Sequence, residues 1–202
     1  MEFLLAGEKL QRCRTAFLDQ IPAPRNILLV GEGHGRCLAE CCRRFPRARV
    51  VCIDASEQML IQARRRLETE NAREKAQVEF IRADVLNWSP RAKEFDLIAT
   101  NFFLDCFAEN QLEQIICRLA AAAAPAANWL LADFQIASSG LRRTRSRLIL
   151  WIMYAFFRAV TRLPASHLAP PDAFLKRAEF VLRHRLESDW GLLHADWWQG
   201  TE

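Results

Sequence analysis

The stretch Asn26-Ile27-Leu28-Leu29-Val30, followed by Gly31-Glu32-Gly33-His34-Gly35 and then Arg36-Cys37-Leu38-Ala39-Glu40, decides how this chain is read. A short apolar run that stops on alternating glycines and passes into helix-forming residues is a strand, a tight turn and a helix start. Glycines let backbone come close to a ligand and a helix start offers unpaired N–H groups, so the turn suits a nucleotide-type ligand. The dinucleotide fingerprint wants a glycine three residues after Gly33, where this chain has Arg36. The spacing is GxGxG instead, with an acid at Glu32 that repels a pyrophosphate and welcomes a cation. Taken alone the loop is a weak signal, with a plain tight turn as its lesser alternative.

Working outward, further apolar, partly β-branched runs recur at Arg49–Ile53, Val78–Ile81, Phe95–Ala99 and Trp129–Asp133. Between them lie helical segments: Arg36–Phe45 stopped by Pro46, Glu57–Glu70 behind the N-cap Ser56, and Glu109–Ala123 stopped by Pro125. Strand then helix, repeated, predicts a parallel sheet covered on both faces. After Asp133 the alternation breaks into a basic patch, an apolar aromatic helix and a Pro-rich turn, and then Phe180–Leu186 and Gly191–Trp197 read as an antiparallel hairpin joining the sheet edge. The expected fold is α/β, a doubly wound Rossmann-like sheet of seven strands, mostly parallel, with a helical insertion before a C-terminal antiparallel hairpin. It forms a single domain: residues 1–25 an N-terminal helix, 26–134 the ligand-binding core, 135–178 the insertion and 179–202 the hairpin.

Two acids follow the glycine loop in order. Asp54 ends the second strand, nineteen residues after Gly35, where a strand-tip carboxylate takes both hydroxyls of a ribose. A helix-initiating turn residue is the bland alternative. Arg82-Ala83-Asp84-Val85 puts another carboxylate at the same edge of the sheet, within reach of an adenine amino group.

The segments ILLVGEGHGRCLAE at Ile27–Glu40, VVCIDASEQMLIQAR at Val50–Arg64, FIRADVLNW at Phe80–Trp88 and FDLIATNFFLDCF at Phe95–Phe107 together resemble the class I S-adenosylmethionine-dependent methyltransferases. The resemblance implies S-adenosylmethionine as cofactor. It implies that Gly31, Gly33, His34 and Gly35 pass under the methionine part, that Asp54 and Ala55 hold the ribose, that Asp84 and the Val85 backbone bind the adenine, and that Met59 packs beside it. Asn101, at the fourth strand tip, joins the cofactor site. The family usually carries an acid two positions before the first loop glycine, and Leu29 stands there. Glu32 is then the residue left to meet the cofactor's ammonium group.

The fourth tip, Thr100–Asp105, is where such a fold brings methyl group and acceptor together. Asp105 is the candidate base, with helix entry as its alternative role, and Phe102 and Phe103 are candidate acceptor contacts. Asn101 is not followed by the Pro-Pro-aromatic run of many amino methylases, and Cys106 lacks the preceding proline of a C5-pyrimidine nucleophile. Of the histidines, His34 is a loop residue, His184 and His194 read as ordinary strand positions, and His167 lies in the insertion. There Arg142, Arg143, Arg145 and Arg147 precede Leu148–Val160, which contains Trp151, Tyr154, Phe156 and Phe157. An aromatic lid with Tyr154 and Phe157 on the acceptor, an interfacial helix, an RNA-binding arm and a plain core helix all fit this pattern. The expectation is a small apolar or lipid-like acceptor, no DNA partner, RNA disfavoured by the isolation of the basic cluster, and at most peripheral membrane contact.

Composition bounds these readings without naming a partner. At 202 residues, 51% hydrophobic and 26% charged with a net charge of +4, the chain is one folded domain with no broad basic bias. Glu2 and Glu8 occupy the place of a secretory signal's basic region, and the run Leu148–Phe157 is far short of the roughly 18 residues that span a bilayer. The seven cysteines, several inside apolar runs, indicate reduced structural thiols and a cytoplasmic chain. No metal is expected, because Cys37, Cys41 and Cys42 with His34 lack the second half of a zinc set. A nicotinamide oxidoreductase is disfavoured by Arg36 and by Tyr154 being followed, four residues on, by Arg158. A non-catalytic relative that keeps the cofactor pocket, and an RNA methyltransferase, stay as alternatives.

Overall fold

The computed structural model describes residues 2–70, 77–161 and 169–201, with side chains described for 7–70, 77–152 and 169–201. Helix α1 (Glu2–Thr15) leads into β1 (Asn26–Val30), α2 (Arg36–Arg44), β2 (Arg49–Asp54), α3 (Glu57–Thr69), β3 (Gln77–Arg82) and β4 (Phe95–Asn101). Then come α4 (Glu109–Ala122), β5 (Ala123–Phe134), α5 (Gly140–Thr161), α6 (Asp172–Arg177), β6 (Phe180–Ser188) and β7 (Leu193–Gly200). The strands form one sheet in the order β3-β2-β1-β4-β5-β7-β6, parallel through β5 and antiparallel at β7 and β6. The hairpin therefore adds with its second strand innermost.

Strands β1, β2 and β4 are almost wholly buried because both faces of the sheet are covered, which is why they read as continuous apolar runs. On one face α1, α2 and α3 pack Cys13, Leu38 and Leu67 in one cluster with Leu29, Val50 and Ala99. On the other, α4 and α6 pack Ile115, Leu119 and Leu175 over Leu28, Ile98 and Trp129. Cys13, Cys37, Cys41, Cys42 and Cys52 are buried as small hydrophobes, and burial pushes the Cys13 and Cys42 thiols up to about 12.

Two boundaries differ from the sequence expectation. Helix α4 stops at Ala122 rather than running on to Pro125, because Ala123 turns to extended backbone (φ −70°, ψ 133°) and Lys93 and Glu94 N–H groups take the Ala121 and Ala122 carbonyls. Pro125 instead sits inside β5, where the β4 register slips between Phe95 and Leu97, a place that tolerates a residue without an N–H. The basic cluster at Arg142–Arg147 is not a lead-in but the first turns of α5 itself. Among the described residues no helix is long and apolar enough to cross a membrane.

Candidate active site

The glycine loop leaves β1 with Gly31, Gly33 and Gly35 all at positive φ. Gly35 is needed for packing: a Cβ there would lie 2.7 Å from the Ala63 backbone of α3. Gly33 is different, since nothing lies within 4 Å of its Cβ position and the backbone faces open space. Asp54 ties the loop to the tip of β2, its Oδ2 accepting from Gly33 N at 3.3 Å and its Oδ1 from Ser56 N at 2.8 Å. Ser56 Oγ accepts from Met59 N, capping α3 and placing half-buried Met59 in its first turn. Gly31, Asp54, Ala55, Asp84 and Val85 line one cavity of about 40 Å³, together with Phe103 and Phe107.

Asn101 is buried and its Oδ1 has no hydrogen-bond partner among the described residues. Because Val30 pairs with Thr100, this orphaned acceptor stands beside Gly31 at the same sheet edge. An acceptor left without a donor there is a reason to expect a ligand. His34 is exposed, and its carbonyl accepts from Arg66 Nε at 2.8 Å.

Glu32 does not face the open side of the loop. Its Oε1 accepts from Cys37 N at 2.6 Å and Leu38 N at 3.1 Å, capping α2, whose N-cap Gly35 has no side chain to do so. Burial pushes its carboxyl up to about 7, against the helix amides and the nearby Arg14. Arg14 in turn lies 4.7 Å over the Phe102 ring.

A second cavity, about 320 Å³, opens at the ends of β5 and β7. Asp105, in the one-turn 3-10 helix Leu104–Cys106, donates its backbone N–H to Asp133 Oδ2 at 3.3 Å, and the two carboxyl groups are hydrogen-bonded to each other. Burial raises both carboxyls, and the neighbouring Asp105 charge raises Asp133 further. Across the sheet Asp133 pairs directly with His194, and Asp196 follows on the same face of β7. His194 Nδ1 is 3.1 Å from Asp196 Oδ1. Arg185 on β6 closes on Asp196 with Nε at 2.7 Å and Nη2 at 2.6 Å, and reaches Asp172 at 2.9 Å. Burial opposes the Asp196 charge, but the Arg185 hydrogen bonds prevail and hold its carboxyl below the usual range. Phe134, Ile136, Ala169, Pro170 and Pro171 supply apolar wall.

The geometry corrects several sequence expectations. Phe102 packs on Phe134 with ring centroids 5.2 Å apart and lines neither cavity, whereas Phe103 lines the cofactor-side cavity rather than the acceptor side. His194, read as an ordinary strand residue, lines the second cavity. His184 does stack on Trp197, centroids 5.5 Å apart. The side chains of Tyr154 and Phe157, and all of His167, lie outside the described residues. Arg145 pairs with Asp189, which splits the basic cluster.

Residues 27–126 match the model of a methyltransferase domain. Those residues, just under half of the chain, carry a class I S-adenosylmethionine-dependent methyltransferase domain. The chain is 36% identical over 119 residues to a trans-aconitate 2-methyltransferase of Variovorax paradoxus, covering 57% of this chain and 42% of that protein. It is also 36% identical over 86 residues to a malonyl-[acyl-carrier protein] O-methyltransferase of Halalkalibacterium halodurans, covering 41% of this chain and 30% of that protein. The chain thus spans less than half the length of the curated relatives it matches. The solved N-methyltransferase NodS from Bradyrhizobium japonicum, in complex with S-adenosylhomocysteine, shares the fold at TM-score 0.66 and 16% identity, over 98% of this chain and 86% of that one.

The family's cofactor is S-adenosylmethionine, and the chemistry of the residues at this edge fits it. Open backbone at Gly33, the orphaned Asn101 acceptor and the Asp54 and Asp84 carboxylates converge on one edge. The Phe103 ring rests against Gly31, so close that a Cβ at Gly31 would lie 2.0 Å from Phe103 Cδ2. The cavity of about 40 Å³ beside it is room for little more than water, because the ring fills the space next to the loop. Asp133, Asp196 and Arg185 were not singled out from sequence. Their one local signal is alternation, with His194 and Asp196 at every second position of a strand whose next such residue, Trp198, is fully buried.

Proposed function

We propose that this chain transfers a methyl group from S-adenosylmethionine to a small acceptor with an apolar body, seated between β5, β7 and the segment Ala169–Pro171. The observation that carries the reading is the shared wall between the two cavities: Phe103 and Phe107 line one and Asp105 lines the other, with a single turn between them. The cofactor, when bound, supplies a methyl group on a sulfonium. Asp54 holds the ribose hydroxyls, Asp84 and the Val85 backbone orient the adenine, and Gly33 offers backbone to the methionine part. The chain's further work is to hold the acceptor against the turn Leu104–Cys106, exclude water and accept a proton. An apolar or lipid-like acceptor is supported by the apolar wall and by α5, where Leu148, Trp151 and Ile152 are exposed near the arginines. Calorimetry tests the cofactor half: S-adenosylhomocysteine binds and NAD does not. Turnover of methyl-labelled cofactor against a metabolite extract tests the other half, and an absence of labelled product in the presence of bound cofactor would refute methyl transfer.

A further inference from the structure

We propose that His194 is the proton acceptor for an uncharged hydroxyl group on the substrate, with Asp196 as its positioning residue. The inference rests on methyl transfer taking place in the cavity described above, and it adds the base and the acceptor chemistry. Asp196 is fully buried and pinned by Arg185 and by Trp198 Nε1 at 3.3 Å, so its carboxylate is fixed beside His194 Nδ1. A carboxylate only accepts, so Nδ1 keeps the ring proton and the lone pair lies on Nε2. That nitrogen has no hydrogen-bond partner among the described residues, while the ring lines the cavity. Asp133 and Glu187 face His194 from the paired strands, with Asp105 beyond Asp133 and Asp196 on its own strand. Arg185, the nearest cation, is occupied by Asp196 and Asp172.

The same wall selects the acceptor. Gln135 Nε2 is buried without a partner and lines the cavity. It asks for oxygen lone pairs on the substrate, which an ammonium group lacks. A carboxylate would need a free cation, whereas this wall carries three aspartates, and its one arginine is already committed to Asp172 and Asp196. The chemistry that fits is a hydroxyl beside a second oxygen on an apolar, ring-like body. In the step, the hydroxyl oxygen bonds to the methyl carbon and its proton passes to Nε2. The electrons of the broken C–S bond stay on sulfur, leaving a neutral thioether.

The test uses the protein saturated with S-adenosylhomocysteine and 4-nitrophenol as probe, whose absorption reports its ionisation. The bound phenol is expected to ionise at lower pH than the free phenol, by a tenfold or greater shift in the equilibrium. His194→Gln should abolish the shift and Asp196→Asn should reduce it, with cofactor affinity retained in both. 4-Nitrobenzoate and 4-nitroaniline should bind at least tenfold more weakly than the phenol. The wild-type comparisons hold even where a variant fails to fold. A bound phenol that titrates like the free one, equal or tighter binding of the benzoate or the aniline, or binding of none of the three would each overturn the proposal. Calorimetric failure of S-adenosylhomocysteine itself would instead overturn the methyltransferase reading beneath it.

Discussion

Replacing Glu32 with glutamine should stabilise this protein, and only at the alkaline end of its range. Glu32 caps α2 through Oε1, and the amide oxygen of glutamine accepts from Cys37 and Leu38 N–H in the same way. What changes is the charge. Burial raises the folded-state carboxyl from 4.5 to about 7, so between those values the folded protein holds a proton that the unfolded chain has released. Stability therefore falls as pH rises through that window, and the full penalty of about 3 kcal/mol is present above it. Glu32→Gln removes the penalty: a gain approaching 3 kcal/mol is expected at about pH 8 and about 1 kcal/mol or less at about pH 5. Urea unfolding of both proteins at the two pH values measures this directly. A variant that is less stable by the same amount at both would refute the reasoning, showing that the helix start and Arg14 favour the carboxylate charge more than burial opposes it. Calorimetry with S-adenosylhomocysteine at the higher pH separates the cap from an ammonium contact. A cap leaves affinity unchanged, whereas a tenfold loss would restore Glu32 to the cofactor.

Asp54→Ala should weaken S-adenosylhomocysteine binding by about 1–3 kcal/mol in calorimetry without unfolding the protein, since it removes a charged partner at an open strand tip. Gly31→Ala should lower stability by about 1–3 kcal/mol in urea melts, because a φ of 66° is strained for alanine and its Cβ would run into Phe103. Phe103→Ala should bind S-adenosylhomocysteine more tightly than wild type, because no ring then has to leave Gly31, and weaker binding would show that the ring holds the ligand. Arg185→Met strands the buried Asp196 carboxylate and should cost about 3–5 kcal/mol of stability at neutral pH, read by urea unfolding.

The cofactor half of the site was legible because its signals are local. Each strand tip carries its own mark: Gly31 and Gly33 after β1, Asp54 after β2, Asp84 after β3, and all reach one edge simply because parallel strands end together. The same both-sides burial that makes β1, β2 and β4 apolar made the sheet readable. Where sequence misled, a distant hydrogen bond decided. Alanines at Ala120–Ala124 favour helix and Pro125 looks like its stop, yet the carbonyls of Ala121 and Ala122 are taken by the chain entering β4 and the helix ends there. The acceptor half left only one local mark, the alternation of His194 and Asp196 with the buried Trp198. Asp133 on β5 is far in sequence from Arg185 and His194 on the terminal hairpin, and they meet only because β7 inserts between β5 and β6, which puts Asp133 opposite His194 and Asp196 opposite Arg185. A histidine and an aspartate on the face that also buries Trp198 are costly unless they are paired, and that cost is the trace a sequence leaves of such a site. The hairpin is thus more than an edge closure, for its register is what assembles the polar row beside the acceptor cavity.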